Sequence, residues 1–256
     1  MSRAHFRSIL VTGANRGIGL ELVKQFLAQP KPPQWLFAAC RDPHGGRAKE
    51  LQALASTHPN VVILQLESTD EASIKTAAKE AEALLAGSGL TLLINNAAIM
   101  PPSTLESVTK EDMLSVYQTN LVGPMLTTKA FLPLLKTAAK KSPEKELSGS
   151  KAAIVNVSTI GSSIGDAPSM DMFPVVAYRC SKIALNMLTR CQALEYKESG
   201  ILSVAIHPGW VKTELGTDKA DLTVEDSTSG IITVLSNLSE EQNGRLLNWE
   251  GRYISW

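Results

Sequence analysis

The chain has 256 residues, of which 44% are hydrophobic, enough for one large α/β domain or two small ones. Its 25 basic and 25 acidic side chains give a formal net charge of zero, which argues against nucleic acid or an anionic membrane as a partner. The first residues lack the zones of a signal peptide, and no apolar run approaches a membrane span. The three cysteines, Cys40, Cys180 and Cys191, lack metal-ligand spacing. Because no linker interrupts the chain, we expect residues 1–256 to form a single cytoplasmic domain with reduced thiols and no bound metal.

A glycine-rich turn follows the first predicted strand. The apolar run from Ser8 to Val11 leads directly into Thr12-Gly13-Ala14-Asn15-Arg16-Gly17-Ile18-Gly19, which opens an amphipathic segment. A strand, a glycine turn and a helix in this order bring backbone N–H groups and a positive helix end to a diphosphate. We expect Gly13 to form the tight turn, Gly17 to admit the cofactor and Gly19 to allow close helix packing. The spacing differs from G-x-G-x-x-G, so an ordinary turn before a helix remains the alternative.

The second and third predicted strands end in residues suited to an adenosine. Trp35 to Ala39 leads into Cys40-Arg41-Asp42, about where a dinucleotide fold places its ribose contact. Arg16 and Arg41 offer forked donors for a 2′-phosphate, which favours NADP(H), unless both are simply solvated surface charges. If Asp42 faces the ribose instead, NAD(H) is the cofactor. After the third strand, Val61 to Gln65, Glu67 is either an adenine contact or a loop acid.

The next segments alternate between helix and strand. Asp70 is a predicted helix N-cap, and the helix carries an apolar stripe that we expect in the core: Ile74, Ala77, Ala78, Ala81, Leu84 and Leu85. The fourth strand, Leu90 to Ile94, ends in Asn95-Asn96-Ala97-Ala98. One amide there can fix the sheet while the small side chains leave room for a ligand.

A long helical pattern from about Thr109 to Leu135 carries Asn120 near its middle. Pro124 lacks the N–H group that would bond the carbonyl of Asn120, so we predict a local kink there. The lysine-rich residues 136–150 are interpreted as an exposed loop.

The remaining pattern supplies groups that can transfer protons. The fifth strand, Ala152 to Val157, brings Ser158 and Thr159 to its tip, and a helix opens at Tyr178-Arg179-Cys180-Ser181-Lys182. Tyr178 and Lys182 are four residues apart and therefore share a helix face.

The sixth strand, Ser203 to Ile206, leads into a turn with the sequence His207-Pro208-Gly209-Trp210-Val211-Lys212-Thr213. Proline and glycine shape this turn at the predicted cofactor edge, and we interpret His207 as structural. Residues 214–226 are a candidate lid. A helix near Val224 to Leu238 and a strand at Leu246-Leu247 complete the pattern.

These motifs, in this order, resemble the short-chain dehydrogenase/reductase family along essentially the whole chain. The Tyr-Arg-Cys-Ser-Lys variant and residues 248–256 are similar to its C-factor and Sniffer-type carbonyl reductases. The resemblance implies an α/β, single-domain, Rossmann-like fold: a doubly wound parallel sheet in the order 3-2-1-4-5-6-7 with helices on both faces. It also implies NADPH-dependent reduction of an aldehyde, ketone or quinone.

The resemblance assigns roles to individual residues. Tyr178 is the implied general acid, Lys182 favours its phenolate and binds the nicotinamide ribose, and Asn120 holds a relay water. The family usually ends the fifth strand in Ser-Ser, but this chain has Ser158-Thr159, so Thr159, Ser158 or Ser162 polarises the substrate oxygen. The predicted cofactor contacts are Gly13, Asn15, Arg16, Gly17, Ile18, Gly19, Arg41, Glu67, Asn96, Ala97, Ala98, Tyr178, Lys182, Pro208, Gly209, Val211 and Thr213.

Two alternatives remain open. The chain is either a regulatory NAD(P)-binding protein of the C-factor type with incidental catalysis, or an NAD-dependent alcohol or steroid dehydrogenase. In relatives, the helix with Asn120 and the helix opened by Tyr178 are common subunit contacts, so the resemblance favours a homodimer.

Overall fold

One parallel sheet organises residues 5–171 and 174–256, the part of the chain that the computed structural model describes. Its seven strands are β1 (Ser8–Thr12), β2 (Trp35–Cys40), β3 (Val61–Gln65), β4 (Leu92–Asn95), β5 (Ala153–Val157), β6 (Leu202–His207) and β7 (Leu246–Asn248). They lie in the order β3-β2-β1-β4-β5-β6-β7, which confirms the predicted order. Because every ladder is parallel, all carboxyl ends meet at one edge. The order reverses between β1 and β4, where such sheets form a ligand crevice.

Helices cover both faces of this sheet. They are α1 (Gly17–Leu27), α2 (Lys49–Thr57), α3 (Glu71–Leu85), α4 (Lys110–Tyr117), α5 (Gly123–Lys141), α6 (Val176–Tyr196) and α7 (Val224–Ser236). Adjacent residues of β1 separate into two cores: Ile9 packs with α1 and α7, whereas Leu10 packs with α3 and α5. Burial on both faces explains why the strands are continuous apolar runs. None of the described helices is both long and apolar enough to cross a bilayer.

The helix α3 begins at the predicted N-cap, but one residue of its predicted apolar stripe is exposed. The side chain of Asp70 accepts a hydrogen bond from the N–H of Ala72, which confirms the N-cap. Leu84 was expected in the core, but 38% of its surface is exposed, so that prediction is wrong. It lies at the edge of the apolar stripe, whereas Leu85 on the next position is buried.

The long helix pattern is divided into α4 and α5 by one π-helical turn, Gln118–Val122. The N–H of Gly123 bonds the carbonyl of Gln118, and Pro124 follows without a donor of its own, so the predicted irregularity has its predicted cause. The helix continues to Lys141, so the expected loop over residues 136–150 is wrong in its first part. Ala138 and Ala139 are buried, and their packing extends the helix while the lysines face solvent.

Candidate active site

A mostly apolar cleft of about 710 Å³, counting its open mouth, lies at the carboxyl edge of the sheet. Its wall combines the residues after β5, the first turns of α6 and the segment after β6. The residues that line it include Ile18, Thr159, Tyr178, His207, Trp210 and Leu215. Side chains separated by up to two hundred residues therefore meet in one cleft, as the parallel strand ends require.

The glycine turn before α1 has the shape of a diphosphate cradle. Gly13 has a φ of +64°, and a Cβ on Gly19 would lie 2.2 Å from the carbonyl oxygen of Gly13. A Cβ on Gly17, whose φ is +51°, would lie 3.3 Å from Cγ2 of Thr213. The N-cap Arg16 makes no side-chain cap hydrogen bond, and the first turn of α1 contains no acid. The turn therefore fits an anionic dinucleotide, whose phosphate oxygens can accept hydrogen bonds from the backbone N–H groups at the start of α1.

The end of β4 supports this cradle from below. The amide of Asn96 donates to the carbonyl oxygens of Thr12 at 2.9 Å and Gly13 at 3.3 Å. The backbone N–H groups of Asn96 and Ala97 both donate to the Thr12 hydroxyl group. Asn95 instead donates to Asn156 at 2.9 Å, joining β4 to β5 as one amide was expected to do. Asn96 thus shapes the predicted cofactor site by holding the turn.

Three other predicted contacts lie in the same region. Asn15 is half-buried in the glycine turn, Ile18 lines the cleft, and Ala98 is half-buried after β4 without a positive φ. Because its φ is not positive, this position accepts the methyl group of alanine without backbone strain. Their contacts with a cofactor remain predictions.

Tyr178 and Lys182 project from the same face of α6. The Nζ atom of Lys182 lies 5.6 Å from the centre of the Tyr178 ring and donates a 2.6 Å hydrogen bond to the carbonyl oxygen of Val157. Burial lowers the pKa of Lys182 to about 7. Burial also raises the pKa of Tyr178 well above its ordinary value. Both shifts have the same cause, because an apolar environment disfavours the charged form of each group.

The three candidate hydroxyl groups after β5 have different partners. Ser158 is 1% exposed, and its hydroxyl group donates to Oδ1 of Asn186 at 2.6 Å. Ser162 donates to the carbonyl oxygen of Thr159 and accepts from the amide of Asn186. Thr159 is half-buried, lines the cleft and accepts from the N–H of Gly161, which leaves its own proton for a ligand. The geometry favours Thr159 for the serine role, which stays a prediction.

Asn120 is fully buried in the π-helical turn and connects two parts of the site. Its Oδ1 accepts from the N–H of Ile99, and its Nδ2 donates to the carbonyl of Ile99, each at 2.9 Å. The same Nδ2 donates to Ser181 at 3.1 Å, and Ser181 donates to the carbonyl of Tyr178. Asn120 therefore holds the chain after β4 against the start of α6. Its role with a relay water stays a prediction.

At the predicted ribose end, Arg41 lies 3.5 Å from a carboxylate oxygen of Glu67. Glu67 also accepts from the hydroxyl group of Thr69. Asp42, the residue that would favour NAD(H), accepts from the backbone N–H of His44 and packs against Gly45. The carboxylate of Asp42 is thus part of its own turn.

The segment after β6 closes the other side of the cleft. Gly209 has a φ of +87°, and a Cβ there would lie 2.7 Å from Leu222. The carbonyl oxygen of Pro208 accepts from Ser227, and Val211 is buried. Burial lowers the pKa of His207 to about 4. A neutral imidazole agrees with its interpretation as structural, which stays untested.

The structure brings two further arginines to the site, Arg179 and Arg47. Arg179 lines the cleft and donates to the carbonyl oxygens of Pro168 at 2.7 Å and Ser169 at 3.1 Å, which holds these two residues to α6. Arg47 lies just before α2, near the glycine turn, and pairs with Glu214. The sequence could have indicated Arg179, because it directly follows Tyr178. No sequence pattern indicates that Arg47 pairs with Glu214.

The family model described as short chain dehydrogenase matches residues 7–222. The NADPH-bound carbonyl reductase from chicken fatty liver is 54% identical, with a TM-score of 0.95 over 98% of this chain and 100% of that chain. Carbonyl reductase Sniffer of D. melanogaster is 40% identical, with a TM-score of 0.94 and the same coverage. C-signal of Myxococcus xanthus is 31% identical over 64% of this chain and 92% of its own. The chain therefore belongs to the short-chain dehydrogenase family, in its Sniffer and C-factor branch.

Proposed function

We propose that this protein is an NADPH-dependent carbonyl reductase that acts on an aldehyde, ketone or quinone. The observation that carries the proposal is that Tyr178 and Thr159 line one apolar cleft beside the glycine cradle. Pockets that are mostly apolar with a few convergent polar groups suit small organic substrates. The similarity to an NADPH-bound carbonyl reductase supports the same reaction class.

Tyr178 is the general acid in this proposal. When bound, NADPH supplies a hydride from C4 of its nicotinamide ring. The hydroxyl group of Tyr178 gives its proton to the carbonyl oxygen of the substrate, on which negative charge develops. Because burial raises its pKa, the phenol is protonated at neutral pH, as a proton donor must be. Thr159 donates a hydrogen bond to the same oxygen and polarises the carbonyl group.

Lys182 adjusts the proton affinity of Tyr178. With a pKa of about 7, its amine is close to half protonated at neutral pH. Its charged form stabilises the phenolate, which the reverse reaction needs. In the proposal, Lys182 also binds the nicotinamide ribose, and Asn120 orders the water through which the proton is replaced.

The preference for NADPH rests on the charges at the ribose end. Arg16 and Arg41 are exposed cations near the glycine turn and the end of β2, whereas Asp42 is engaged in its own turn. Guanidinium groups bind phosphate through paired donors. The three free cysteines suit a reducing compartment, and we propose a cytoplasmic location.

The test is calorimetric titration of the purified protein with NADPH and with NADH at equal salt, followed by turnover with a panel of carbonyl compounds. We expect NADPH to bind at least tenfold more tightly, a difference of about 1.4 kcal/mol. Preference for NADH would transfer the ribose contact to Asp42 and favour the alcohol dehydrogenase alternative. Cofactor binding without turnover would favour a regulatory protein of the C-factor type.

A further inference from the structure

Glu214 reaches from the segment after β6 to two arginines near the glycine turn. Its Oε2 atom lies 2.8 Å from Nη1 of Arg16 and 3.5 Å from Nη1 of Arg47. Arg16 is the N-cap of α1, and Arg47 lies in the turn just before α2. One carboxylate oxygen therefore sits between two guanidinium groups, as the oxygen of a bound phosphate does.

We propose that Glu214 is an internal occupant of the anion site formed by Arg16 and Arg47, and that it must leave when a phosphorylated ribose binds. The inference rests on the proposed NADP(H) dependence and adds a selectivity determinant to it. A dinucleotide without the extra phosphate has no group that competes with Glu214. The carboxylate therefore lowers the affinity for the phosphorylated cofactor while leaving the other unaffected.

The ion pairs are weak enough for such an exchange. The side chains of Arg16, Arg47 and Glu214 are 48%, 70% and 64% exposed. Ion pairs between exposed side chains contribute little, because water screens them and the long side chains lose entropy. A phosphate monoester carries more negative charge than a carboxylate and has three acceptor oxygens. Glu214 therefore competes with the phosphate without blocking the site.

The position of Glu214 also connects the anion site with the substrate cleft. Its neighbours Thr213 and Leu215 line the cleft. The base of the segment is held by the N–H of Lys212, which donates to the carbonyl of Leu222, and by the indole of Trp210, which donates to the carbonyl of Gly216. Glu214 therefore lies on a segment that contributes to both the anion site and the cleft wall.

The test is calorimetric titration with 2′,5′-ADP and with 5′-AMP, which differ by the phosphate in question and need no turnover. The variant Glu214→Gln keeps the size of the side chain and removes its charge. We expect it to raise the affinity for 2′,5′-ADP about threefold to tenfold, with the affinity for 5′-AMP within about twofold. In a background that lacks both guanidinium groups, Arg16→Ala with Arg47→Ala, the same change should have no effect, because neither partner of Glu214 remains. Glu214 is exposed, so a thermal melt is expected to match the wild type.

A matched control is Glu50→Gln. Glu50 lies on α2, one turn after Arg47, but its carboxylate pairs with Lys24. We expect the affinity of this variant for 2′,5′-ADP to stay within about twofold, although the same charge is removed nearby. The proposal would be overturned if both variants gained affinity for 2′,5′-ADP equally, or if Glu214→Gln also gained affinity for 5′-AMP. Either result would mean that removal of any nearby negative charge is enough. An unchanged or lower affinity of Glu214→Gln would also overturn it.

The titrations distinguish the role of Glu214 from the NADPH dependence on which it rests. If the wild type binds 2′,5′-ADP but Glu214→Gln binds it no more tightly, the role of Glu214 is wrong and NADPH dependence stands. If the wild type binds NADH and not 2′,5′-ADP, the role of Glu214 and the NADPH dependence are both wrong.

Discussion

The side-chain nitrogen of Lys182 lies 5.6 Å from the centre of the Tyr178 ring; both side chains are buried, and Tyr178 lines the cleft. Burial acts on them in opposite directions, because it favours the neutral amine and the neutral phenol. The phenol is thus kept as an acid, and the amine has a pKa near neutrality. The pair has the properties that protonation of a substrate oxygen needs.

Tyr178→Phe is expected to lower kcat/KM for carbonyl reduction by a factor of about 10² to 10⁴, because the general acid is removed. The affinity for NADPH should remain within a few-fold, since the ring still packs in place. The measurements are steady-state kinetics and calorimetry. Tyr117→Phe is the matched control: it removes a hydroxyl group that donates to the carbonyl of Cys180 at 3.1 Å and does not line the cleft. Reduction by Tyr178→Phe at the wild-type rate would exclude Tyr178 as the acid.

Lys182 should make the stability of the cofactor-free protein depend on pH. Its pKa is about 7 in the folded protein and 10.5 as the reference value, so unfolding takes up a proton between these limits. The free energy of unfolding contributed by this group therefore rises as pH increases from about 7 to 10.5. Below pH 7 the unfavourable contribution of Lys182 to the free energy of unfolding is fully present. Above pH 10.5 this contribution disappears.

The variant Lys182→Met isolates this contribution. Relative to the wild type, it should be more stable at pH 7, and the difference should shrink at pH 9.5. Urea denaturation at the two pH values measures both quantities. A difference that does not change with pH would mean that Lys182 is charged in the folded protein.

Much of the fold follows from local patterns. Trp35–Cys40 is apolar along its whole length because both faces of the sheet are covered by helices, and such runs are visible in the sequence. The glycine turn is visible for a related reason, since Gly13 needs a positive φ and Gly19 has no space for a Cβ. Each of these constraints acts on a single position, so the residue type at that position is enough to predict it.

Other features depend on residues that are distant in the chain. The end of α5 at Lys141 is set by the burial of Ala138 and Ala139, which no local signal indicates. Glu214 and Arg16 are 198 residues apart, so their pairing leaves no pattern in either segment. The same holds for Asn120, whose amide contacts Ile99 only because a π-helical turn directs it there. Local patterns thus predict positions in the site better than contacts within it.

Thr159 and Ser158 should respond differently to loss of their hydroxyl groups. Thr159→Ala is expected to lower kcat by about 10² to 10³, the usual loss when one donor to a developing oxyanion is removed. Thr159→Ser should retain most activity, because the hydroxyl group remains.

Ser158→Ala is expected to act mainly on stability. It leaves Oδ1 of buried Asn186 without this donor, at a cost of about 1–3 kcal/mol in the free energy of unfolding. Kinetics and urea denaturation of all three variants distinguish the roles. A large loss of kcat in Ser158→Ala, with Thr159→Ala active, would reverse the assignment.

Arg41→Ala should weaken binding of NADPH much more than binding of NADH, because it removes a cation that pairs with the 2′-phosphate in the proposed function. Calorimetry with both cofactors measures the effect. Glu67→Gln is a useful comparison, since it frees Arg41 from its 3.5 Å ion pair without removing the cation. Equal effects of Arg41→Ala on the two cofactors would remove Arg41 from the phosphate site.

Exposed apolar side chains on α6 predict a homodimer. Met187 and Leu194 lie two turns apart on one face and are 64% and 63% exposed, and α4, which packs on α6, exposes Leu114 to 60%. Such residues on adjacent helices are typical of a surface that a second copy covers. Light scattering should therefore give about twice the chain mass of 27.5 kDa.

Introducing charge on this face, in the double variant Met187→Glu and Leu194→Glu, should give the monomer mass, because two carboxylates would be buried without partners in the dimer. Leu84→Glu on α3 is the control, since Leu84 is 38% exposed on another helix and should leave the mass unchanged. A wild-type protein that is monomeric at all concentrations, or a double variant that remains dimeric, would contradict this interface. The cofactor affinity of the double variant should match that of the wild type, because the glycine cradle lies at the carboxyl edge of the sheet and these side chains on the exposed face of α6.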